Sequence, residues 1–257
     1  YPTKKEYLFD FFNSLNEQAF KNFDVIVVND QYENFSEIIC KYPLLNIIEL
    51  PYSKSPAKNR EYGINYVLNS GYQYLIFGDC DDYFSSNRVE KSLECLKDFD
   101  IVVNDVSLFD EQSIYSKNYF SNRIKNNFEI DLNFIKDKNI FGLSNTAICT
   151  KNVNKIKIPD GIIAIDWYIF TYLLMNHRKA VFNNEMITFY RQHNSNLIGL
   201  KKLKEEKIQQ IINVKLMHYS LFLSSSNTYA TLYDNMINIK KNNISSGKAF
   251  RFWWEIN

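Results

Sequence analysis

The chain has 257 residues, of which 46% are hydrophobic, so it can bury a full core as one large domain or as a domain with an appendage. Its net charge of +1 gives no field that would select nucleic acid, and its four cysteines lack zinc-like spacing, which favours a reducing compartment. No apolar run approaches the roughly 18 residues needed to span a bilayer. We therefore expect a soluble, cytoplasmic protein without a nucleic-acid partner.

The first half of the chain alternates helix and strand patterns. Apolar residues at helical spacing predict the helices, and short apolar runs without alternation predict strands buried on both faces. The predicted elements are a helix over 4–20, a strand over 24–30, a helix over 35–42, a strand over 44–50, a helix over 55–68, a strand over 72–78, a helix over 86–96 and a strand over 100–104. This alternation predicts βαβ units and a largely parallel sheet.

The pattern weakens beyond residue 104. The stretch 105–140 is polar and rich in Asn and Lys, which predicts a loop-rich insertion or a set of short helices. Further predicted elements are strands over 146–149, 179–182 and 186–190 and helices over 167–175, 201–222 and 228–240. We expect residues 1–200 to form the main domain and residues 201–257 a helical extension packed on it.

The chain ends in a cluster of basic and aromatic residues over 248–254. This cluster either packs on the protein's own surface or touches a membrane. Packing is the preferred interpretation, because an isolated short cluster is weak evidence for membrane contact.

Acidic residues follow two of the predicted strands. Asp30 follows the first strand, and Asp79, Asp81 and Asp82 follow the strand that ends at Gly78. Ligands in open α/β sheets bind just outside the carboxyl ends of such strands, so both acidic groups would lie at one edge. Carboxylates there repel one another unless a cation lies between them, and hard divalent cations take such ligands. The alternative is a strand that ends in an acidic, solvated turn.

Five segments, in this order, resemble the family 2 glycosyltransferases of the GT-A fold. They are Val25-Ile26-Val27-Val28-Asn29-Asp30, Ala57-Lys58-Asn59-Arg60-Glu61-Tyr62-Gly63-Ile64, Phe77-Gly78-Asp79-Cys80-Asp81-Asp82, Ile165-Asp166-Trp167 and Tyr190-Arg191-Gln192-His193. Each motif alone is weak, but five in the family's order over roughly residues 1–199 are a strong signal. The resemblance implies an α/β fold with a Rossmann-like mixed, mostly parallel sheet flanked by helices.

The resemblance also implies a donor site. Asp30 and Arg60 would contact the base of a nucleotide-sugar, most often a UDP-sugar. Asp81 would bind Mn²⁺ or Mg²⁺, with Asp79 near the ribose or the metal. His193 would reach the metal or a phosphate oxygen.

Two further roles follow from the last motifs. Asp166 matches the family's catalytic base, although Ile165 stands where a second acid usually precedes it. Arg191 resembles a residue of a loop that closes over the diphosphate, and it would pair with that group.

Taken together, the resemblance implies an inverting, metal-dependent transfer of sugar from a UDP- or dTDP-sugar to a saccharide or lipid-linked acceptor. Its setting would be cell-surface polysaccharide or glycolipid assembly, with peripheral contact at the inner face of the membrane. Family members begin with a strand and a turn of which only Tyr1-Pro2-Thr3 resembles a part here, so we expect native residues to precede Tyr1.

The residues leave two other functions open. A phosphatase of the haloacid dehalogenase type also places two acids after a buried strand, and Asp79 would be its nucleophile. That motif requires Thr or Val where Tyr83 stands, which counts against it. A non-catalytic relative that binds nucleotide or glycan is the other possibility, because Asp166 lacks its usual acidic neighbour.

Several site residues also have simpler interpretations. Asp166 could be a helix-start charge stabilised by the dipole, and Arg60 a solvated helix residue. Asp30 could be a turn former, and His193 an ordinary loop histidine. We interpret Cys80 as a small filler and not a nucleophile, because the flanking carboxylates suppress its thiolate.

Overall fold

The computed structural model describes residues 4–110, 113–192, 205–241 and 254. In these parts of the chain, helices and strands alternate through the first hundred residues as predicted, except for an additional short strand over 83–84. The helices are α1 (Lys5–Asn16), α2 (Phe35–Lys41), α3 (Pro56–Asn69), α4 (Arg88–Cys95), α5 (Leu132–Ile135), α6 (Ile165–Met175), α7 (Glu205–Ser220) and α8 (Asn227–Lys241). The strands are β1 (Asp24–Asn29), β2 (Asn46–Pro51), β3 (Tyr74–Ile76), β4 (Tyr83–Phe84), β5 (Ile101–Phe109), β6 (Ile114–Ser116), β7 (Phe128–Ile130), β8 (Thr146–Cys149) and β9 (Ala180–Arg191).

The described strands form two sheets. β1 and β2 pair in parallel, and the other strands form a mixed sheet of central order β3-β8-β5-β9-β4, with β6 on β5 and β7 on β9. β8 lies antiparallel between β3 and β5, and β5 pairs with β9 in parallel. The strands β3, β5 and β9 therefore share one direction, and their carboxyl ends face the same edge of the sheet.

The strand β5 is longer than predicted. It continues through Phe109 and is buried along its whole length, so the prediction that regular structure dissolves at Asp105 is wrong for this segment. The Asp105 carboxylate accepts hydrogen bonds from the backbone N–H groups of Val106 and Phe120, both at 2.8 Å, and from the Ser121 hydroxyl. These bonds compensate the burial of a charged group inside a strand.

A single strand, β9, replaces the two short strands predicted over 179–182 and 186–190. Its pairing with β5 shifts from Asn104 opposite Asn183 to Asp105 opposite Ile187. The residues between form a bulge, and the polar side chains of Asn183, Asn184 and Glu185 interrupt the apolar pattern on which the prediction rested.

A gap lies between the two sheets. Cavities with volumes of about 280 and 540 Å³ are lined by residues of β1 on one side and of β3 on the other. The three residues of β3 are consequently only partly buried, so the prediction of a strand buried on both faces is wrong. The segment Tyr1-Pro2-Thr3 lies outside the described residues.

The last two helices pack against α6. The indole of Trp167 is fully buried and stacks on the His218 imidazole of α7, with ring centroids 3.7 Å apart. Trp254 is also buried and stacks near Phe120, while the rest of the terminal cluster lies outside the described residues. The division near residue 200 stays a prediction. None of the described helices combines the length and hydropathy needed to cross a bilayer.

Helix α3 lies close to β1 because of one glycine. The Ser55 hydroxyl caps its start by accepting from the Lys58 N–H, and Gly71 follows its end with a φ of +79°. A Cβ built on Gly63 would lie 2.7 Å from Cγ2 of Val28, so this contact requires a residue without a side chain.

We therefore expect Gly63→Ala to lower the free energy of unfolding by about 1–3 kcal/mol, since the branched Val28 side chain has little freedom to give way. Urea unfolding measures this change. In a Val28→Ala background the same substitution should be neutral or stabilising, because the clash is gone and Ala favours a helix. Equal costs in both backgrounds would contradict the steric explanation.

Candidate active site

The turn between β3 and β4 carries the acidic cluster. We call residues 79–82 the acidic turn. The Asp82 N–H donates to the Asp79 carbonyl at 3.1 Å, and the Asp79 N–H donates to the Ser144 hydroxyl at 3.3 Å. These bonds fix the backbone of the turn just beyond the carboxyl end of β3, which is where the sequence predicts a site.

Three of the predicted donor-site residues line one cavity. Asp30 follows β1, Arg60 lies on α3, and Asp79 begins the acidic turn, and all three border the cavity of about 280 Å³. Arg60 Nη2 lies 3.3 Å from Asp79 Oδ1, and each side chain is 31% exposed. Burial raises the pKa of Asp79, the nearby Arg60 lowers it, and Asp81 raises it. The structure thus brings together residues from three separate segments.

Asp82 lies beneath the turn and is almost fully buried. Its Oδ1 accepts a hydrogen bond from the Arg191 backbone N–H at 2.8 Å. Its Oδ2 has no hydrogen-bond partner in the described part of the chain, although the Ser144 hydroxyl is near enough to lower the pKa somewhat. Burial raises the pKa of Asp82 well above its usual range, and the Asp81 and Asp79 carboxylates raise it further.

A buried arginine compensates part of this negative charge. Arg88, at the start of α4, donates to the Phe77 carbonyl at 2.7 Å and to Asn104 Oδ1 at 3.3 Å, and lies over the Phe84 ring. Burial lowers the pKa of Arg88 to about 9, while Asp82 and Asp79 act to raise it. The guanidinium of Arg88 therefore places a buried positive charge next to the acidic turn. The Phe77 carbonyl, just after β3, holds it there.

Asp166 lies in the first turn of α6. Burial raises the pKa of its carboxyl to about 6. The Trp167 N–H donates to its Oδ1 at 2.8 Å, and this bond, the Asn139 side chain and the Arg60 charge lower the pKa, while Asp79 raises it. Asp166 is therefore close enough to interact with both Arg60 and Asp79. A carboxylate with such a pKa is suited to accept a proton near neutral pH.

A family model for glycosyl transferase family 2 matches residues 2–155, which is more than half of the chain. The chain belongs to this family. No curated protein matches it.

Solved structures support the same fold for this glycosyltransferase. The S. aureus TarS 1–349 structure in complex with UDP-GlcNAc has 17% identity and a TM-score of 0.65, over 91% of this chain and 68% of that chain. The TarS complex with UDP has 17% identity and a TM-score of 0.65, over 93% and 69% of the two chains. The mannosyltransferase PcManGT from Pyrobaculum calidifontis, with GDP-Man and Mn²⁺, has 11% identity and a TM-score of 0.55, over 96% and 74%. The predicted GT-A fold is confirmed.

Of two predicted residues in the last motif, the structure describes Arg191 but not His193, and the predicted diphosphate contact of Arg191 stays a prediction. The Arg191 side chain is 7% exposed; its Nη2 lies 2.5 Å from Asp10 Oδ2, and its Nε donates to the Asp81 carbonyl at 2.8 Å. His193 lies outside the described residues, so its predicted contact with metal or phosphate stays a prediction.

Among the described residues, those of the acidic turn are the candidates for holding a metal ion. In the described part of the chain, no group of three or more His, Cys, Asp or Glu side chains is placed to hold a metal ion. Mg²⁺ and similar hard cations use one or two carboxylates and take other ligands from substrate phosphates and water. The crowded carboxylates and the buried oxygen of Asp82 without a partner fit such a cation chemically.

Sequence reasoning missed several side chains of the site. Ser144, Arg88 and Asn139 have no recognisable motif, because their neighbours in space are distant in sequence. Tyr190 begins the last family-like segment, but the resemblance implies no role for it in the site. Burial raises the pKa of its hydroxyl, and the carboxylates of the acidic turn and of Asp166 raise it further, so it lies among these acids. Burial also raises the pKa of the Cys80 thiol to about 12, in agreement with a filler role.

We expect Arg88→Met to lower the free energy of unfolding by about 3 kcal/mol, because it leaves buried acceptors and carboxylates without their cation. Urea unfolding measures this loss, with Lys91→Met on the same helix as a surface control. A loss no larger than that of the control would contradict the assigned role of Arg88.

Proposed function

We propose that this family 2 glycosyltransferase is an inverting, metal-dependent enzyme that moves a sugar from a UDP- or dTDP-sugar to a hydroxyl of a saccharide or lipid-linked acceptor. The observation that carries the proposal is the convergence of Asp166, with its pKa of about 6, on Arg60 and Asp79 at the sheet edge. A proton acceptor near donor-site residues is what a single displacement at an anomeric carbon requires.

The cavity beside the acidic turn is the proposed nucleotide site. Asp30 and Arg60 reach it from neighbouring elements, and the partly exposed guanidinium of Arg60 remains accessible to a ligand there. TarS structures contain UDP-GlcNAc and UDP, whereas the less similar PcManGT contains GDP-Man. These likenesses support a nucleotide-sugar donor, with a uridine nucleotide as the first choice.

Asp81 is the proposed principal ligand of a Mn²⁺ or Mg²⁺ ion, with Asp79 near the ion and His193 as a further contact. When bound, such an ion supplies positive charge against the leaving diphosphate. The Mn²⁺ in the PcManGT structure supports this choice of metal.

The protein's own groups perform the proton transfer. The acceptor hydroxyl oxygen forms a bond to the anomeric carbon as the bond from that carbon to the diphosphate oxygen breaks and its electron pair leaves with the diphosphate. Asp166 takes the hydroxyl proton. The Trp167 N–H and the Asn139 side chain hold the carboxylate in place. A haloacid dehalogenase mechanism at Asp79 is not retained, because the chain belongs to a glycosyltransferase family.

The proposed setting is the assembly of cell-surface polysaccharide or glycolipid by a cytoplasmic enzyme at the inner face of the membrane. Only the family resemblance supports this setting. The GT-A catalytic domain would be residues 1–200, and the helical extension over 201–257 would pack on it.

We expect Mn²⁺ to tighten UDP binding by the wild type, and Asp81→Asn to reduce that metal-dependent gain by roughly 10- to 100-fold. Isothermal titration with UDP, with and without Mn²⁺, measures both values. Asp98→Asn, an exposed acid elsewhere on the surface, serves as the control. A UDP affinity that changes neither on addition of Mn²⁺ nor in Asp81→Asn would count against metal dependence.

We expect Asp166→Asn to lower kcat by roughly 10²- to 10⁴-fold with UDP affinity unchanged. In the wild type, kcat/KM should fall as the pH drops through about 6, because the base of the free enzyme becomes protonated. The variant should melt at the same or a higher temperature at pH 7.5, since a carboxylate whose folded pKa is raised costs stability once ionised.

A transfer assay with a labelled UDP-sugar and thermal melting provide these measurements. Asp160→Asn, in the exposed turn that precedes α6, is the matched control. Full activity of Asp166→Asn at any pH would rule out this residue as the base.

A further inference from the structure

We propose that Asp10, on the exposed side of α1, is a positioning residue that holds the acidic turn in place through Arg191. The proposal rests on the proposed function, in which the acidic turn binds the cation and the donor. Asp10 lies outside all five family-like segments. The structure also gives Arg191 a role that differs from a direct contact with the diphosphate.

One arginine bonds the acidic turn from two sides. Arg191 Nε donates to the Asp81 carbonyl at 2.8 Å, and the Arg191 backbone N–H donates to Asp82 Oδ1 at 2.8 Å. Nη2 of the same guanidinium donates to Asp10 Oδ2 at 2.5 Å. The planar guanidinium therefore links α1 to the backbone of the turn with a fixed geometry that a lysine ammonium does not reproduce.

Aromatic rings keep the guanidinium in this position. Its carbon lies 4.0 Å from the ring centroid of Tyr7 and 4.4 Å from that of Phe109. The Arg191 side chain is 7% exposed, whereas that of Asp10 is 49% exposed. A cation this buried needs a nearby negative charge, and Asp10 provides one from the solvent side.

The consequence concerns the Asp81 carboxylate. Without the Asp10 charge, the guanidinium is drawn towards water or towards the acids of the site, and it carries the Asp81 carbonyl with it. The proposed cation ligand then loses its fixed direction. Misplacement of a site group by about 1 Å is enough to cost up to roughly 100-fold in catalysis.

A direct contact between Arg191 and the diphosphate makes a different prediction. In that case Arg191→Lys would weaken UDP binding even without metal. Asp10→Asn would leave it unchanged or strengthen it, because an acid repels an anionic ligand. If Asp10 acts through Arg191, both substitutions should have the same effects.

The test uses the full chain as wild type, Asp10→Asn, Arg191→Lys and the double variant. Hydrogen exchange over residues 77–84 reports the turn without any ligand, and electron paramagnetic resonance of free Mn²⁺ reports metal binding in the presence of UDP. We expect each single variant to speed exchange at the turn several-fold and to weaken Mn²⁺ binding by roughly tenfold, with metal-free UDP affinity unchanged. The double variant should be little worse than either single one.

Two controls separate positioning from general damage. Glu6→Gln removes an exposed acid of the same helix and should behave as the wild type. Asp10→Glu keeps the charge and should restore most of the Mn²⁺ binding.

Unchanged exchange at the turn in a folded Asp10→Asn protein would overturn the proposal. Weaker binding in Arg191→Lys alone would overturn it too and would favour the direct diphosphate contact. Wild-type protein that binds neither UDP nor Mn²⁺ would refute the proposed function instead, while the exchange data would still decide whether Asp10 holds the turn.

Discussion

The site depends on placing several carboxylates in a largely buried space at one strand end. Burial raises the pKa values of Asp79, Asp82 and Asp166. The Asp79 charge raises the pKa values of Asp82 and Asp166 further, and the Asp81 charge raises those of Asp79 and Asp82. Such a cluster persists in a folded protein only if cations and hydrogen bonds compensate it. Arg88 compensates it from inside the sheet and Arg60 from the cavity. The fold around the turn is arranged to supply these two charges.

Arg88 and Arg60 differ in whether a ligand can reach them. Arg88 is buried and bonded to Phe77 and Asn104, so it acts as a fixed part of the scaffold. Arg60 is a third exposed and faces the cavity, so a ligand can compete for it. Asp82 keeps one oxygen without a partner in the described residues. The compensation of these buried carboxylates is therefore incomplete, and a bound cation would add to it.

The sequence predicts a candidate site where local pattern and chemistry coincide. Asp30 and Asp79 were predictable because each follows a short apolar strand, and parallel strands bring such ends together. Asn139 was not predictable, since its contact with Asp166 depends on how a polar segment packs. The continuation of β5 was missed because Asp105 interrupts the apolar run, and only the folded chain shows the bonds that make its burial tolerable. Hydrophobic periodicity indicates which residues of a segment are buried on average. It does not show which hydrogen bonds or charges compensate a buried polar group.

The replacement of the usual acid by Ile165 bears on whether this protein is a catalyst. Ile165 is buried in the core and anchors the first turn of α6, so packing fixes the direction of Asp166 without an acidic neighbour. Burial alone is the largest cause of the raised pKa of Asp166, and the Asp79 charge adds to it. A second adjacent acid is thus not needed to bring a lone carboxylate into the range of a general base. In the folded chain, the presence of Ile165 in place of an acid is therefore no longer an argument for a non-catalytic relative.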